Sequence, residues 1–311
     1  MTRTFARIAG TGSYLPEKIL TNADLEKMVD TSDTWITERT GIKQRRIAAE
    51  HEDVVSMATI AANNALQAAD LAAGDLDLII LATCSQERLF PAAACAIQQQ
   101  LGATCAAFDV QAVCSGFVYI LSIAEKYITS GAANNVLIIG SEVMSRTVDW
   151  TDRNTCIVFG DGAGAVVLQA NSKNGVLATE LGTDGAYKDL LYLDKNSHVY
   201  MDGNPIFRYA VKYLGKIAAE FLQKHQKTVT DIDWLVPHQA NLRIISATAK
   251  KIDLSMDKVI VTVAEHGNTS AASIPLALDV GVRSGKIKRG QTLLLEAFGG
   301  GLTWGFALIE Y

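Results

Sequence analysis

One cysteine and two neutral polar residues stand where this sequence could do chemistry. Cys114 lies between a predicted strand and a long predicted helix. The first turn of a helix offers free backbone N–H groups and the positive end of the helix dipole, which stabilise a thiolate nucleophile. A free cysteine is more often a buried structural residue. The segment around Cys114 leaves both interpretations open.

His238 and Asn268 are the second and third candidates. His238 follows an apolar run that ends at Pro237, so its imidazole is predicted at the carboxyl end of a strand, where α/β sheets place active sites. Asn268 stands in HGNTSAAS, a run of small and polar residues directly before a helix. Capping of that helix would explain the asparagine too. The functional interpretation is an amide that donates a hydrogen bond into a site shared with His238.

Three glycine-rich segments suggest nucleotide binding, but their context does not support it. GGGLTWG at 299–305 is followed by a strand and lacks Lys-Ser/Thr, the same objection applies to 160–165, and GTG at 10–12 lacks a third glycine. At 299–305 we predict close approach of the backbone to a substrate, with a glycine N–H as oxyanion donor. No His, Cys and carboxylate group has metal-ligand spacing, so no metal is predicted.

Composition narrows the class of protein. The chain has 311 residues, 49% of them hydrophobic, enough for one large core or two fused cores. A net charge of −5 argues against general nucleic-acid binding. The apolar runs are too short to span a bilayer, and the first residues do not form a secretory signal. Five scattered cysteines without a CxxC pair indicate free thiols in a reducing, cytoplasmic compartment.

Short apolar strands alternate with helices, which predicts an α/β protein with a mostly parallel sheet covered on both faces. In the first half we expect helices at 54–71, 95–102 and from Cys114 to 131, and strands at 76–84, 106–111 and 134–142. In the second half we expect helices at 209–227, 241–252 and 269–284, and strands at 231–239, 258–263 and 291–297.

The spacing of landmarks predicts a duplicated α/β unit. Asp-x-Asp opens one strand at 75 and another at 231. A Ser-Gly pair follows Cys114 by 16 residues and follows Asn268 by the same interval. We therefore predict two halves, 1–172 and 173–311, in which Cys114 and Asn268 hold matching positions and face each other.

These residues resemble the β-ketoacyl-acyl carrier protein synthase III family, condensing enzymes that initiate bacterial type II fatty acid synthesis. The resemblance covers essentially the whole chain and implies a thiolase-like fold with α-β-α-β-α layers. The matching motifs are GTGSYLPEKILTNADLEKMVDTSDTWITERTGI at 10–42, AFDVQAVCSGF at 107–117, TDRNTCIVFGDGAGAVVL at 151–168, DWLVPHQANLRIISATAKK at 233–251, HGNTSAASIP at 266–275 and LLEAFGGGLTWG at 294–305.

The resemblance implies a two-step reaction. Cys114 would take an acyl group from an acyl-CoA primer, usually acetyl-CoA, and malonyl-acyl carrier protein would then decarboxylate and attack the acyl-cysteine. His238 and Asn268 would hold the enolate, and neutral donors suit this task because a carboxylate would repel the charge. The N–H groups of Cys114 and Gly301 would form a second oxyanion hole. No cofactor beyond these substrates is expected.

The resemblance also implies binding residues and a homodimer, with the region of Phe90 completing the partner's pocket. CoA and pantetheine would contact Thr31, Trp35, Arg39, Arg153, Gly203, Asn204, Phe207, Ala240 and Asn241. The acyl pocket would include Cys84, Phe90, Phe159 and Leu191. Acyl carrier protein would contact Gln239, Ala240, Asn241, Leu242 and Arg243. Lys212, Lys216, Lys250 and Lys251 would extend a basic patch for the acidic carrier protein, although a solvated helix face explains these lysines equally well.

Three alternative functions would need residues different from those of a synthase III. A thiolase needs a second cysteine near the C-terminal glycine-rich loop, and no cysteine follows Cys156. A catalytically inactive partner subunit would have lost the nucleophile. A relative in secondary metabolism with an unusual primer stays open. Cys84 stands where we expect threonine and the segment 194–204 is short, and these departures leave the primer length open but not the mechanism.

Overall fold

The structure is a computed structural model that describes residues 4–195 and 197–311. Its strands are β1 Phe5–Tyr14, β2 Lys18–Thr21, β3 Gln44–Ile47, β4 Leu78–Ala82, β5 Ala106–Val110, β6 Asn135–Val143, β7 Asp161–Asn171, β8 Val176–Thr183, β9 Leu191–Tyr192, β10 Tyr200–Met201, β11 Trp234–Pro237, β12 Thr292–Gly299 and β13 Thr303–Glu310. Its α-helices are α1 Asn22–Leu25, α2 Asp33–Thr40, α3 Val54–Ala69, α4 Ala93–Leu101, α5 Gly116–Thr129, α6 Arg153–Cys156, α7 Gly203–Lys224, α8 Leu242–Lys251, α9 Val263–His266 and α10 Ser273–Arg283.

The long strands form two sheets. The N-terminal sheet has the order β1-β7-β6-β4-β5, and the C-terminal sheet has the order β11-β12-β13-β8. β4 is parallel to β5 and β6, and β11 is parallel to β12. The remaining pairs in both sheets are antiparallel. The predicted mostly parallel sheet was therefore wrong in this respect, because β7 and β13 return against the strands before them in the chain.

Helices and sheets alternate in five layers. α3 and α4 cover the outer face of the N-terminal sheet, and α7 and α8 cover the outer face of the C-terminal sheet. α5 and α10 lie between the sheets, where their apolar residues share one core with inward-facing residues of both, such as Ile80 and Leu295. Burial of this apolar area is the main driving force that holds the two halves together.

Most predicted elements are confirmed to within a few residues, but one strand is not. Residues 258–263 form no strand, and only Val259 makes an isolated parallel bridge with Leu235. The segment is apolar because Val259 and Ile260 are buried in the core, and a short buried run does not distinguish a strand from a coil that is buried equally. For this reason the C-terminal sheet has one strand fewer than the N-terminal sheet.

The predicted boundary after residue 172 lies in the turn between β7 and β8, which belong to different sheets. This position supports the division into halves 1–172 and 173–311, which stays a prediction. The shared layer of α5 and α10 means that each half covers part of the core of the other.

Candidate active site

Cys114 lies in a short 3₁₀ turn, Val113–Ser115, which we call the first turn. The turn connects β5 to α5 and places Cys114 just before the helix. Val113 has a φ of 48°, which reverses the chain between the strand and the helix. A Cβ atom on Gly116 would lie 2.9 Å from Cβ of Ala82, so glycine lets α5 begin directly against β4.

Burial governs the charge of the nucleophile. Only 4% of Cys114 is exposed, and this burial raises the pKa of its thiol to about 12. The neighbouring polar side chains of Ser270 and Asn268 act on this pKa in the opposite direction and favour the thiolate. Cys114 therefore rests as a thiol.

His238 follows β11, and its backbone N–H donates to the carbonyl oxygen of Glu296 at 2.7 Å. Burial lowers the pKa of its imidazole to about 3, so the ring is neutral at neutral pH. Neither ring nitrogen has a hydrogen-bond partner among the described residues. Because a neutral imidazole carries one N–H, His238 has a buried donor available for a ligand.

Asn268 is held by its backbone on both sides. Its N–H donates to the carbonyl oxygen of Val158 at 2.9 Å, and its own carbonyl oxygen accepts the N–H of Gly160 at 3.0 Å. Its side-chain Oδ1 accepts the N–H of Ser270 at 2.9 Å, which leaves the amide nitrogen to donate toward Cys114. The capping interpretation thus holds for Oδ1, while the functional interpretation concerns the amide nitrogen and stays a prediction.

The three predicted catalytic residues line one cavity. Cys114, His238 and Asn268 share a space of about 120 Å³ with Phe298 and Gly299. Two neutral donors and a thiol in a mostly apolar cavity can stabilise a developing oxyanion beside a nucleophilic sulfur. No group of three or more His, Cys, Asp or Glu side chains in the described ranges could hold a metal ion.

A second cavity, of about 420 Å³, is also lined by Cys114. The predicted acyl-pocket residues Cys84, Phe159 and Leu191 line it. Phe90 does not, since its side chain is 83% exposed on the surface of this chain. Any contribution of Phe90 to a pocket would therefore be made to a partner subunit, and this stays a prediction.

The glycine-rich loop comes close to Cys114 at Gly299. A Cβ atom on Gly299 would lie 2.9 Å from the backbone nitrogen of Cys114, whereas at Gly301 the nearest atoms belong to Thr303. The structure thus brings the backbone of Gly299 against the nucleophile. The assignment of the second oxyanion donor to the N–H of Gly301 stays a prediction, because the position of a Cβ atom does not locate an N–H group.

The predicted CoA contacts fall into two groups. Gly203, Phe207, Ala240 and Asn241 line the small cavity beside Cys114. Trp35 lies on the surface side, with the guanidinium groups of Arg39 and Arg153 at 4.7 and 4.9 Å from the centre of its indole ring. Thr31 and Asn204 do not line the cavity, and the Thr31 hydroxyl has no hydrogen-bond partner in the described part of the chain.

The predicted carrier-protein contacts include one error. The side chain of Gln239 is 1% exposed, donates to the carbonyl oxygens of Pro237 and Ile260, and accepts from the N–H groups of Thr262 and Val263. Gln239 is therefore a structural residue that joins two buried segments, and its side chain does not reach a partner.

The other residues of this group lie nearer the surface. Asn241 caps α8 by accepting the N–H of Arg243, and its amide donates to the carbonyl oxygen of Arg39. The Arg243 guanidinium lies 4.5 Å from the centre of the Phe207 ring, and Leu242 packs against Gly41. This arrangement joins the predicted carrier-protein surface to the mouth of the small cavity.

Two buried residues near Cys114 were missed by sequence reasoning. Ser270 lines the acyl cavity, and the Glu142 carboxylate accepts hydrogen bonds from Thr83, Cys84 and Ser85. The signal for Glu142 was present, because a charged residue stands inside the otherwise apolar strand β6. Burial raises the pKa of this carboxyl group.

The layered fold and the Cys-His-Asn site together define a thiolase-like condensing enzyme. Models of the 3-oxoacyl-[acyl-carrier-protein] synthase III family match residues 108–185, and models of its C-terminal part match residues 222–311. The chain is 57% identical to the β-ketoacyl-[acyl-carrier-protein] synthase III of Methylococcus capsulatus over 99% of both chains. It therefore belongs to the β-ketoacyl-[acyl-carrier-protein] synthase III family.

Solved structures agree with this assignment. The 3-oxoacyl-[acyl-carrier-protein] synthase III of Aquifex aeolicus superposes with a TM-score of 0.96 at 50% identity, over 98% of this chain and 100% of that one. The priming β-ketosynthase of the R1128 polyketide pathway superposes with a TM-score of 0.95 at 35% identity, over 99% and 97%. The fold and family predictions are thereby confirmed.

Proposed function

We propose that this protein condenses an acyl-CoA primer with malonyl-acyl carrier protein to give a 3-oxoacyl-acyl carrier protein, the initiating step of fatty acid synthesis. The observation that carries the proposal is the neutral, buried imidazole of His238, whose nitrogens lack partners among the described residues and which shares a cavity with Cys114 and Asn268. Such a donor suits an enolate and not a proton abstraction, because its pKa is too low for a base.

The first half-reaction is acyl transfer. The Cys114 sulfur attacks the thioester carbon of the primer, a C–S bond to Cys114 forms, and the bond to the CoA sulfur breaks. The thiol proton leaves with CoA as its free thiol. Backbone N–H groups at Cys114 and in the adjoining glycine loop are the candidates to hold the oxyanion of the tetrahedral intermediate.

The second half-reaction is decarboxylative condensation. The malonyl carboxylate leaves as CO₂, and its bonding electrons move onto the thioester oxygen, where His238 and Asn268 donate hydrogen bonds to the enolate. The enolate carbon then attacks the acyl group on Cys114 and expels the cysteine thiolate. Each well-placed donor supplies about 3 kcal/mol of transition-state stabilisation.

Several features support the proposed partners. The small cavity reaches from Cys114 to Phe207 and Asn241, which gives a pantetheine arm a path to the sulfur. Arg39, Arg153 and Trp35 offer cationic and aromatic contacts for a nucleotide at the surface. Arg243 stands at the same opening and offers a positive charge to an acidic carrier protein.

We also propose a cytoplasmic homodimer. Leu89 and Phe90 are 74% and 83% exposed, and a pair of large apolar residues in one loop favours burial against another subunit. All five cysteines are free, which suits a reducing compartment. No described helix is long and apolar enough to cross a membrane.

The function is tested by CO₂ release and product formation from purified protein with acetyl-CoA and malonyl-acyl carrier protein. We expect CO₂ and 3-oxoacyl-acyl carrier protein in equal amounts, and loss of product with Cys114→Ala. Absence of CO₂ with every primer tried would overturn the proposal. A series of primers of increasing length identifies the acyl group that the 420 Å³ cavity prefers.

A further inference from the structure

We propose that Arg45 is a positioning residue that holds the backbone of Asn268 so that its side-chain amide can donate to the enolate. The proposal rests on the function proposed above, because it concerns a donor of the decarboxylation step. Arg45 lies in β3, which pairs with β2 in a small separate sheet. Its side chain reaches from that sheet to the backbone around Asn268, so it acts through another residue and not on the substrate.

The guanidinium group of Arg45 is buried, and the three oxygens that it bonds carry no charge. The residue is 0% exposed. Nη1 donates to the carbonyl oxygen of Leu20 at 3.2 Å and to Oδ1 of Asn22 at 2.9 Å, while Nη2 donates to the carbonyl oxygen of Ile157 at 2.6 Å. A buried charge without an opposite charge is costly, and an apolar residue of similar size would avoid this cost. The donors of Arg45 therefore call for a specific role.

The shortest of these hydrogen bonds leads to Asn268. Its acceptor is the first residue of segment 157–160, which we call the anchor segment. In this segment the carbonyl oxygen of Val158 accepts the N–H of Asn268 at 2.9 Å, and the N–H of Gly160 donates to the carbonyl oxygen of Asn268 at 3.0 Å. The guanidinium group thus fixes one end of the segment that holds Asn268 by both of its backbone polar groups.

The aliphatic part of Arg45 packs between the anchor segment and the chain that leads to Asn268. A Cβ atom on Gly160 would lie 3.0 Å from Cβ of Arg45, and a Cβ atom on Gly267 would lie 3.1 Å from it. Gly267 directly precedes Asn268 in the chain. Arg45 therefore contacts both backbone segments whose hydrogen bonds set the position of Asn268.

This arrangement predicts which half-reaction depends on Arg45. A donor stabilises an enolate only when it lies at the right place, and a displacement of about 1 Å can cost about 10²-fold in rate. Cys114 belongs to the first turn, between β5 and α5, which has no part in the anchor segment. Loss of Arg45 should therefore slow malonyl decarboxylation and largely spare acyl transfer.

The test compares these two half-reactions in two variants. Arg45→Met removes the donors and keeps an unbranched apolar side chain, whereas Arg45→Lys keeps the charge and loses the planar fork of donors. CO₂ release from malonyl-acyl carrier protein and transfer of radioactive acetyl groups from acetyl-CoA to Cys114 are measured separately. We expect decarboxylation to fall about 10- to 10²-fold in both variants, and acetyl transfer to fall much less.

Arg46→Met is the matched control. Arg46 is the next residue of β3, and its guanidinium group also bonds a backbone carbonyl oxygen, that of Pro16 at 3.0 Å. That carbonyl lies before β2 and not in the anchor segment, so both rates should stay near those of the wild-type protein. In an Asn268→Ala background, Arg45→Met should cause no further loss of decarboxylation, because Arg45 acts through Asn268.

Hydrogen exchange provides a measurement that needs no substrate. The N–H groups of Asn268 and Gly160, read by mass spectrometry on the peptides that contain them, should exchange faster in Arg45→Met and Arg45→Lys and unchanged in Arg46→Met. If the proposed function is wrong, the wild-type protein itself releases no CO₂. The exchange rates then still decide whether Arg45 holds Asn268.

Equal losses of decarboxylation and acetyl transfer in the Arg45 variants would indicate a general structural role and would overturn the proposal. Additive losses from Arg45→Met and Asn268→Ala would do the same, as would exchange rates equal to those of the wild-type protein. If Arg45→Met does not fold, Arg45→Lys is used for each of these comparisons.

Discussion

Two 3₁₀ turns, one in each half of the molecule, have the same backbone design and different chemistry. The first turn is Val113–Ser115, and the second turn is Ser270–Ala272. Each begins with a non-glycine residue at a φ of 48°, and each leads into a helix of the central layer, α5 or α10. The nucleophile belongs to the first turn, whereas the second turn has serine and two alanines.

This comparison corrects the pairing predicted from sequence. When the turns are matched by their backbone, Val113 corresponds to Ser270, and Cys114 therefore corresponds to Ala271. Asn268 lies three residues before that position, on the segment that enters the second turn. The sequence landmark at the helix ends gave a different match because α5 has 14 residues and α10 has 11.

The difference between the turns shows that the two halves of the chain contribute different catalytic groups to one site. The first turn provides a sulfur near a helix N-terminus, and the segment that enters the second turn provides the Asn268 amide in the same cavity. A carbonyl oxygen of the second turn, that of Ala271, would lie 2.3 Å from a Cβ atom on Gly140 of β6, so the second turn packs directly on the N-terminal sheet. The surroundings of Cys114 in the first turn therefore depend on how the second turn packs on β6.

The largest effect is expected at the nucleophile. Cys114→Ala should lower condensation by at least about 10⁴-fold, because the proposed acyl thioester forms at this sulfur. Decarboxylation of malonyl-acyl carrier protein should continue in this variant, since the enolate donors are intact. Separate measurement of CO₂ and of 3-oxoacyl product checks this expectation. Equal loss of both would mean that the turns do not divide the two half-reactions.

The enolate donors should give the next largest effect. His238→Ala or Asn268→Ala should lower the rate of malonyl decarboxylation about 10²- to 10³-fold, the usual loss for one oxyanion donor. Transfer of radioactive acetyl groups from acetyl-CoA to the protein should fall much less. A loss confined to acyl transfer would instead place these residues with the first turn.

The packing of the second turn on β6 can be tested by a substitution that adds one methyl group. Gly140→Ala should destabilise the protein by about 1–3 kcal/mol, because its Cβ atom would overlap the carbonyl oxygen of Ala271. Gly74→Ala is the matched control, since nothing lies within 4 Å of a Cβ atom there. Urea unfolding of both variants gives the free energies. Equal stability of the two would show that the second turn has room to move.

The free energy of unfolding should fall at acid pH because the imidazole of His238 is buried in its neutral form. The pKa of His238 falls from 6.5 to about 3 on folding, so the unfolded chain binds the extra proton. Stability is therefore complete above pH 6.5 and decreases as the pH falls toward 3, by about 1.4 kcal/mol per pH unit. His266 adds a similar loss, since its pKa is lowered to about 4.

His238→Gln should make the decrease of stability between these pH values shallower. Urea unfolding of the wild-type protein and the variant over this pH range measures the difference. Parallel curves would mean that His238 is charged, or solvated, in the folded protein, and would remove the argument for a neutral donor.

Much of this site could be predicted from sequence. Apolar runs and their order gave the elements, and Cys114, His238 and Asn268 were found from their positions at strand ends and helix starts. The register of the β12–β13 hairpin, which brings Gly299 to Cys114, depends on cross-strand pairing and was not predictable. Gln239 and Glu142 are polar residues whose partners are distant in the chain, 59 positions apart for Glu142 and Thr83. The charge of Glu142 inside a buried strand was visible in the sequence, but the partners of both residues were not.

The division of labour between the first turn and the segment that enters the second turn is tested most directly by single turnover in Asn268→Ala. The variant is loaded with acetyl-CoA, freed of CoA, mixed with malonyl-acyl carrier protein, and followed by intact mass and by mass spectrometry of the Cys114 peptide. We predict that the acetyl group is found on Cys114 as in the wild-type protein, but persists in the variant while the wild-type protein discharges it rapidly with release of CO₂. Failure of the variant to load, or discharge at the wild-type rate, would contradict the account.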